Sequence, residues 1–253
     1  MTVLCYHAVN PEWTSPLSMH PGTFAEHCAW ITRNREVLPL REAVARMSAA
    51  GRLPRGAVAL TFDDGFASLY DHAWPVLARH ALPATVFLVA QTLTEAGQEV
   101  DWIDTPPPYE SDTLTVDQVR EMQHDGVTFE SHSSRHADLT RLTYAECLAD
   151  LRDSRELLES VLNRSVRLLA YPRGRHAPHV RAAAAKAGYS HAFALPEGPE
   201  AIDVYALPRV GLYRSNGVRA LRIKAARPYL PVRTGRAFQV VRRARSVVAG
   251  ARA

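Results

Sequence analysis

Cysteine is scarce in this chain of 253 residues: there are three, Cys5, Cys28 and Cys147. Their odd number and wide spacing argue against a disulfide framework and suit buried thiols in a reducing compartment. Also lacking is any run of about 18 to 20 apolar residues, the length that spans a bilayer. The N-terminus, MTVLCYHAVN, has no basic region leading into an apolar core, so it reads as a strand and not as a secretory leader. The expected location is therefore the cytoplasm. No internal repeat or low-complexity linker divides the chain, and 47% hydrophobic with 22% charged residues is ordinary for one soluble domain.

Acids are missing from one region altogether. From Arg219 to Ala253 there is no Asp or Glu, while Arg219, Arg222, Lys224, Arg227, Arg233, Arg236, Arg242, Arg243, Arg245 and Arg252 concentrate the positive charge there. The net charge of the whole chain is only +4. Alternation of these bases with Leu221, Ile223, Phe238, Val240 and Val247 suits an element lying on an anionic membrane, against the plainer reading of a solvated terminus. No series of stacking aromatics accompanies the charge, so nucleic acid is not an expected partner. The chain divides into a main domain, 1–218, and a basic tail, 219–253.

What is present is an alternation of short apolar runs with helix-period segments, the pattern of an α/β protein with a parallel sheet. Strands are expected over 2–6, 57–62, 84–89, 127–131, 166–171 and 190–194, with a short one near 205–210. Helices are expected over 24–32, 40–50, 67–80, 116–124, 145–162 and 179–187. Gly126 and Gly188 stand where C-terminal cap glycines belong, and Thr143 precedes Glu146 at capping-box spacing. The segment 92–111, with Gly97 and Pro106-Pro107-Pro108, reads as a loop.

The polar residues collect at strand ends. His7 follows the first strand, Asp63 and Asp64 end the second, His132 and His136 follow the fourth, and Tyr171-Pro172-Arg173-Gly174 ends the fifth. Parallel strands direct their C-terminal ends to one face, where α/β proteins build their sites. Residues a hundred apart in sequence can converge there. Two histidines at i and i+4 with one carboxylate make a three-ligand metal set that leaves positions open for water and substrate. Successive side chains at a strand end point in different directions. One Asp can therefore bind the ion while the other faces its water. The competing reading of the Asp pair is a cap for the helix beginning near Ala67.

TFDDG at 61–65 and HSSRH at 132–136 resemble the signature motifs of the polysaccharide deacetylases, carbohydrate esterase family 4. Pro83 to Leu88 resembles the family's third-strand segment, and Leu168 to Gly174 its Tyr-Pro-x-Gly element; the likeness covers about residues 1 to 215. It implies a distorted (β/α)7 barrel whose catalytic domain is 1–218. It also implies that Asp63 is the general base, that Asp64, His132 and His136 hold a divalent metal, and that Ser133 braces the histidine loop. Zinc is the expected ion, with cobalt, nickel or iron as alternatives. The implied substrate is an N-acetylated sugar or glycan.

Two departures from the family pattern shape the remaining assignments. The position of the family's base-orienting Arg, two before the Pro, is Ala170, and the Leu-x-His acid motif near the C-terminus is absent. The chain instead resembles the branch that includes the poly-N-acetylglucosamine deacetylases, in which an N-terminal Tyr-His supplies the acid. Tyr6-His7 matches that pair, so His7 is expected as the acid in preference to His176. Arg209, in Leu207-Pro208-Arg209, is expected to orient Asp63. The backbone N–H of Tyr171, beside Pro172, is the expected oxyanion donor. The rival functions are hydrolysis of a cyclic amide on the same fold and a non-catalytic glycan-binding module.

Overall fold

The computed structural model describes residues 1–50, 56–107, 113–196, 198–199 and 203–235. Seven parallel strands form the framework: β1 (Thr2–Tyr6), β2 (Ala57–Phe62), β3 (Ala84–Leu88), β4 (Thr128–Ser131), β5 (Leu168–Ala170), β6 (His191–Ala194) and β7 (Leu207–Gly211). Each pairs with the next in the chain. β7 returns to β1 with Val3 opposite Arg209, which closes the barrel. The expected strands are all present, with ends moved by one or two residues. The two-residue strand Glu36–Val37 joins the start of β2.

Closure follows from the side-chain alternation. Leu4, Tyr6, Leu60, Phe62, Val86 and Leu88 face a layer of helix residues that includes Phe24, Ile31, Leu69, Val119 and Leu151. Their neighbours Val3, Ala59, Phe87, Leu168, Phe193 and Leu207 form a separate interior cluster. Both sets are buried, so these strands carry near-continuous apolar runs. The helix Leu40–Ala50 contributes Leu40, Val44 and Met47 to the interior cluster.

Local chemistry sets the helix boundaries. Thr143 and Glu146 make both bonds of a capping box at the start of the helix Tyr144–Leu162, and Asn163 ends it in the left-handed conformation. Gly126 and Gly188 have φ of 95° and 94°, the conformation expected of C-terminal caps. The helix expected over 67–80 is instead a π-helical turn, Leu69–Ala73, followed by the α-helix Trp74–Arg79. Pro75 has no N–H to give to the turn before it, which accounts for the break in register. Ser68 precedes the π-turn without a side-chain bond, and neither Asp63 nor Asp64 caps it.

The basic region begins inside the fold. The helix Val218–Lys224 buries Leu221 completely within the main helix layer, and Lys224 donates to the Gly211 carbonyl at 2.7 Å. A second short helix, Tyr229–Thr234, follows. The bases from Arg236 onward lie outside the described residues. Cys5, Cys28 and Cys147 are all free and buried. Among the described residues, no helix is long and apolar enough to cross a membrane.

Candidate active site

The opening of the barrel is built by three loops that follow β2, β4 and β5. After β2 the chain keeps pairing for one residue, with the Asp63 N–H donating to the Tyr6 carbonyl at 3.0 Å. It then turns sharply: Asp64 and Gly65 have φ of 69° and 70°. A side chain at Gly65 would meet Leu88 Cδ2 at 2.5 Å, so the turn needs glycine for room as well as for conformation. The turn sends the two adjacent carboxylates to different partners.

Asp63 is held by Arg209. The guanidinium donates Nη1 to Oδ1 at 2.6 Å and Nη2 to Oδ2 at 2.7 Å, a bidentate fork in which both residues are buried. Arg209 also lies over the Phe87 ring, 5.4 Å from its centroid. Cys5 Sγ donates to Asp63 Oδ2 at 3.3 Å. Burial, the largest single influence, opposes ionisation of Asp63, but the charge and hydrogen bonds of Arg209 together with the charges of His132 and His7 outweigh it and hold the carboxyl well below the usual range. Asp63 is thus an anion that cannot turn away.

Asp64 faces the histidines. Its Oδ1 lies 3.4 Å from His136 Nε2 and 3.7 Å from His132 Nε2. His132 donates Nδ1–H to the Ala170 carbonyl at 2.8 Å, which orients its ring and leaves Nε2 toward Asp64. The loop carrying the histidines is tightly held: Ser133 Oγ accepts the His136 N–H at 3.0 Å, and Asp150 accepts the Ser134 N–H at 3.0 Å. Ser133 and His136 have φ of 72° and 56°, a strain that the surrounding bonds maintain.

These three residues suit a divalent ion. Their ligand atoms lie within 4.8 Å of one another, and all three residues are buried. Two imidazoles and a carboxylate are a common donor set for such ions. The charge balance agrees. Burial, then the neighbouring Asp63 charge, push the Asp64 carboxyl up to about 8, against the lowering effect of the Trp102 hydrogen bond. Burial and the neighbouring ring of His132 lower His136 far below the ordinary imidazole value. Cys5, His7 and Asp63 also cluster within 4.8 Å, but Arg209 occupies both oxygens of Asp63 and burial keeps the Cys5 thiol protonated. That second group does not suit a cation.

The remaining expected residues fall as follows. His7 shares the Asp63 side of the opening, with a ring nitrogen in the same cluster and its ring stacked on Tyr213 at 6.3 Å. Burial lowers its pKa to about 4, against the raising effect of Asp63. His176 turns elsewhere: it packs on Tyr171 and its Nδ1 lies 2.9 Å from Arg181 Nη1. The oxyanion assignment of Tyr171 is corrected by the structure. Its N–H donates to the Phe193 carbonyl at 3.0 Å and its hydroxyl to the Tyr205 carbonyl at 2.9 Å, so both donors are committed to the barrel wall. Pro172 is buried and has no N–H.

One site residue escaped sequence reasoning. Trp102, in the loop over the opening, donates Nε1–H to Asp64 Oδ1 at 3.1 Å and stacks on His136 at 4.7 Å. Nothing in its Pro-rich surroundings signals this. The only hint was an isolated large aromatic in an otherwise polar loop.

Comparison with known proteins decides the family. The polysaccharide deacetylase family model matches residues 50–192, more than half of the chain. The chain belongs to the polysaccharide deacetylase family. Members are hydrolases of the amide that joins an acetyl group to a sugar, and the family is metal-dependent. Among relatives of this deacetylase is YxkH of Bacillus subtilis, named for the same family, 27% identical over 83% of this chain and 70% of its own length. Poly-beta-1,6-N-acetyl-D-glucosamine N-deacetylase of Staphylococcus aureus is 24% identical over 76% of this chain and 67% of its own. The solved Streptococcus pyogenes deacetylase PplD, in complex with acetate, has a TM-score of 0.75 at 26% identity, covering 89% of this chain and 98% of its own.

Proposed function

We propose that the protein hydrolyses the acetamido group of an N-acetylated hexosamine glycan, releasing acetate and the free amine, with zinc held by Asp64, His132 and His136. The observation that carries this reading is the division of labour in one dipeptide. Asp63 is fixed as an anion by Arg209, while Asp64 meets two histidines less than 4 Å away. Zinc is favoured over cobalt, nickel and iron because its tetrahedral preference matches three compact protein ligands and one open position.

A divalent ion held by Asp64, His132 and His136 would supply polarisation of the acetyl carbonyl and a more acidic water at the site. Asp63 takes the proton from that water as its oxygen attacks the carbonyl carbon. The Arg209 fork keeps Asp63 ionised and aimed, at the cost of some basicity. Breakage of the C–N bond then requires a proton on the departing nitrogen, since an amine cannot leave as its anion. His7, on the Asp63 side, is the donor. Burial disfavours the charged form of His7, so the ring must take up its proton before it can donate, and the neighbouring Asp63 carboxylate favours that charged form.

The test is acetate release. Incubation of the zinc-loaded protein with N-acetylglucosamine oligomers, including β-1,6-linked ones, is expected to give products that each lack one acetyl group by mass spectrometry. Full metal occupancy without turnover of any acetamido sugar would overturn the proposal. Turnover of cyclic ureides in its place would favour the cyclic amide reading.

A further inference from the structure

A cavity of about 560 Å³ opens beside the metal ligands, with His136 and Trp102 forming its inner wall. The rest of its lining is strongly basic: Arg135, Arg141, Arg173 and Arg175 face Asp101 and Asp138. Asp138 is already engaged. It accepts from Thr140, and its Oδ2 lies 3.1 Å from Arg175 and 3.7 Å from Arg141. Arg135 and Arg173 make no ion pair among the described residues, although each comes from a loop that builds the site.

Their placement is held by the backbone. Arg173 sits in the left-handed conformation, φ 58°, at the centre of the short turn Pro172–Gly174. The Leu195 N–H donates to the Gly174 carbonyl at 3.1 Å and secures that turn. Arg135 lies between the two histidines, and the Gln98 side chain donates to its carbonyl at 3.1 Å. Two exposed guanidiniums that make no ion pair among the described residues, and that line a cavity sharing a wall with the hydrolytic site, are suited to a phosphate, whose oxygens accept paired N–H donors.

We propose that this cavity binds a phosphate group carried by the acetamido substrate, so that the enzyme prefers a phosphorylated N-acetylhexosamine to a neutral one. The inference rests on the deacetylase reading and specifies its substrate class. A glycosyl phosphate, as in a nucleotide- or lipid-linked sugar, and a phosphate on a sugar hydroxyl of a polymer both present anionic phosphate oxygens to paired N–H donors. The position of the phosphate on the sugar distinguishes them.

The experiment compares acetate release from N-acetylglucosamine, its 1-phosphate and its 6-phosphate, using the full zinc-loaded chain and the double variant Arg135→Gln/Arg173→Gln. In the wild type, kcat/KM for one of the phosphates is expected to exceed that for the neutral sugar by about tenfold or more, as for the loss or gain of a charged hydrogen bond. The advantage should shrink as salt rises. In the double variant the ratio of phosphorylated to neutral kcat/KM should fall toward one. A preference for the 1-phosphate identifies a glycosyl phosphate, and one for the 6-phosphate a phosphorylated polymer. Equal kcat/KM for all three sugars, or a ratio unchanged in the double variant, overturns the proposal. If no sugar loses acetate, the deacetylase reading fails instead. Calorimetric titration with the same phosphates then decides the cavity: binding about tenfold weaker in the double variant supports it, and equal affinities overturn it.

Discussion

Arg209 grips both carboxylate oxygens of Asp63, at 2.6 and 2.7 Å, across β1, which pairs with β7 on one side and β2 on the other. The two residues are 146 positions apart. Removing one partner from a buried ion pair leaves the other charge uncompensated, typically at about 3 to 5 kcal/mol. Arg209→Met is therefore expected to lower the melting temperature clearly and abolish turnover. Arg209→Lys, which keeps the charge but loses the fork, should recover stability more than activity. Equal recovery of both would show that the fork has no orienting role.

Asp63→Asn tests the base. The amide keeps the shape but cannot take a proton, so the rate is expected to fall roughly 10²- to 10⁴-fold while bound metal, measured by elemental analysis, stays at the wild-type level. Metal lost in parallel would make Asp63 a ligand.

Trp102→Phe separates two roles of one ring. Phenylalanine retains an aromatic face for His136 but lacks the N–H that Asp64 accepts. Hydrogen bonds to a ligand commonly tune metal affinity by about 10- to 100-fold. A change of that order is expected in competition with a chelator, against near-complete loss of metal in His132→Ala. Unchanged affinity in Trp102→Phe would leave the bond without consequence for the metal.

The acid is tested by comparing His7→Ala with His176→Ala. An activated aryl acetate has a leaving group that needs no proton, whereas an acetamido sugar does. His7→Ala is expected to lose amide hydrolysis by roughly 10²- to 10⁴-fold and to keep most ester hydrolysis, with metal content intact. Selective loss in His176→Ala would reverse the assignment, despite the contacts of His176 with Tyr171 and Arg181.

For the basic tail, we propose contact with an anionic membrane, through the arginines from Arg236 onward. Truncation after Val218 would be a poor test, because it removes the buried Leu221. Truncation after Gly235 leaves that helix in place. The shortened chain should match the full chain in turnover of soluble substrates but bind less to vesicles rich in anionic lipid, most visibly at low salt. Equal vesicle binding would remove the membrane role.

Much of this protein was legible in one dimension because its signals are local. The apolar runs and cap residues placed the barrel strands and most helices. Asp63, Asp64, His132 and His136 stand directly at strand ends, so a parallel topology alone sufficed to bring them to one face. Other features depended on which backbone groups the closed barrel had already used. The Tyr171 N–H looked available from its position after a strand, but pairing with Phe193 had consumed it. Trp102 reached Asp64 through the course of an irregular loop, which no periodicity encodes. The register of closure, Val3 beside Arg209, put the guanidinium against Asp63, and the meeting of two loops left Arg135 and Arg173 around one cavity. Sequence by itself determined the fold class and the chemistry of the ligands, because those follow from residue type and local spacing. Tertiary structure decided which donors remained free and which charges faced each other, because these depend on packing between segments distant in the chain.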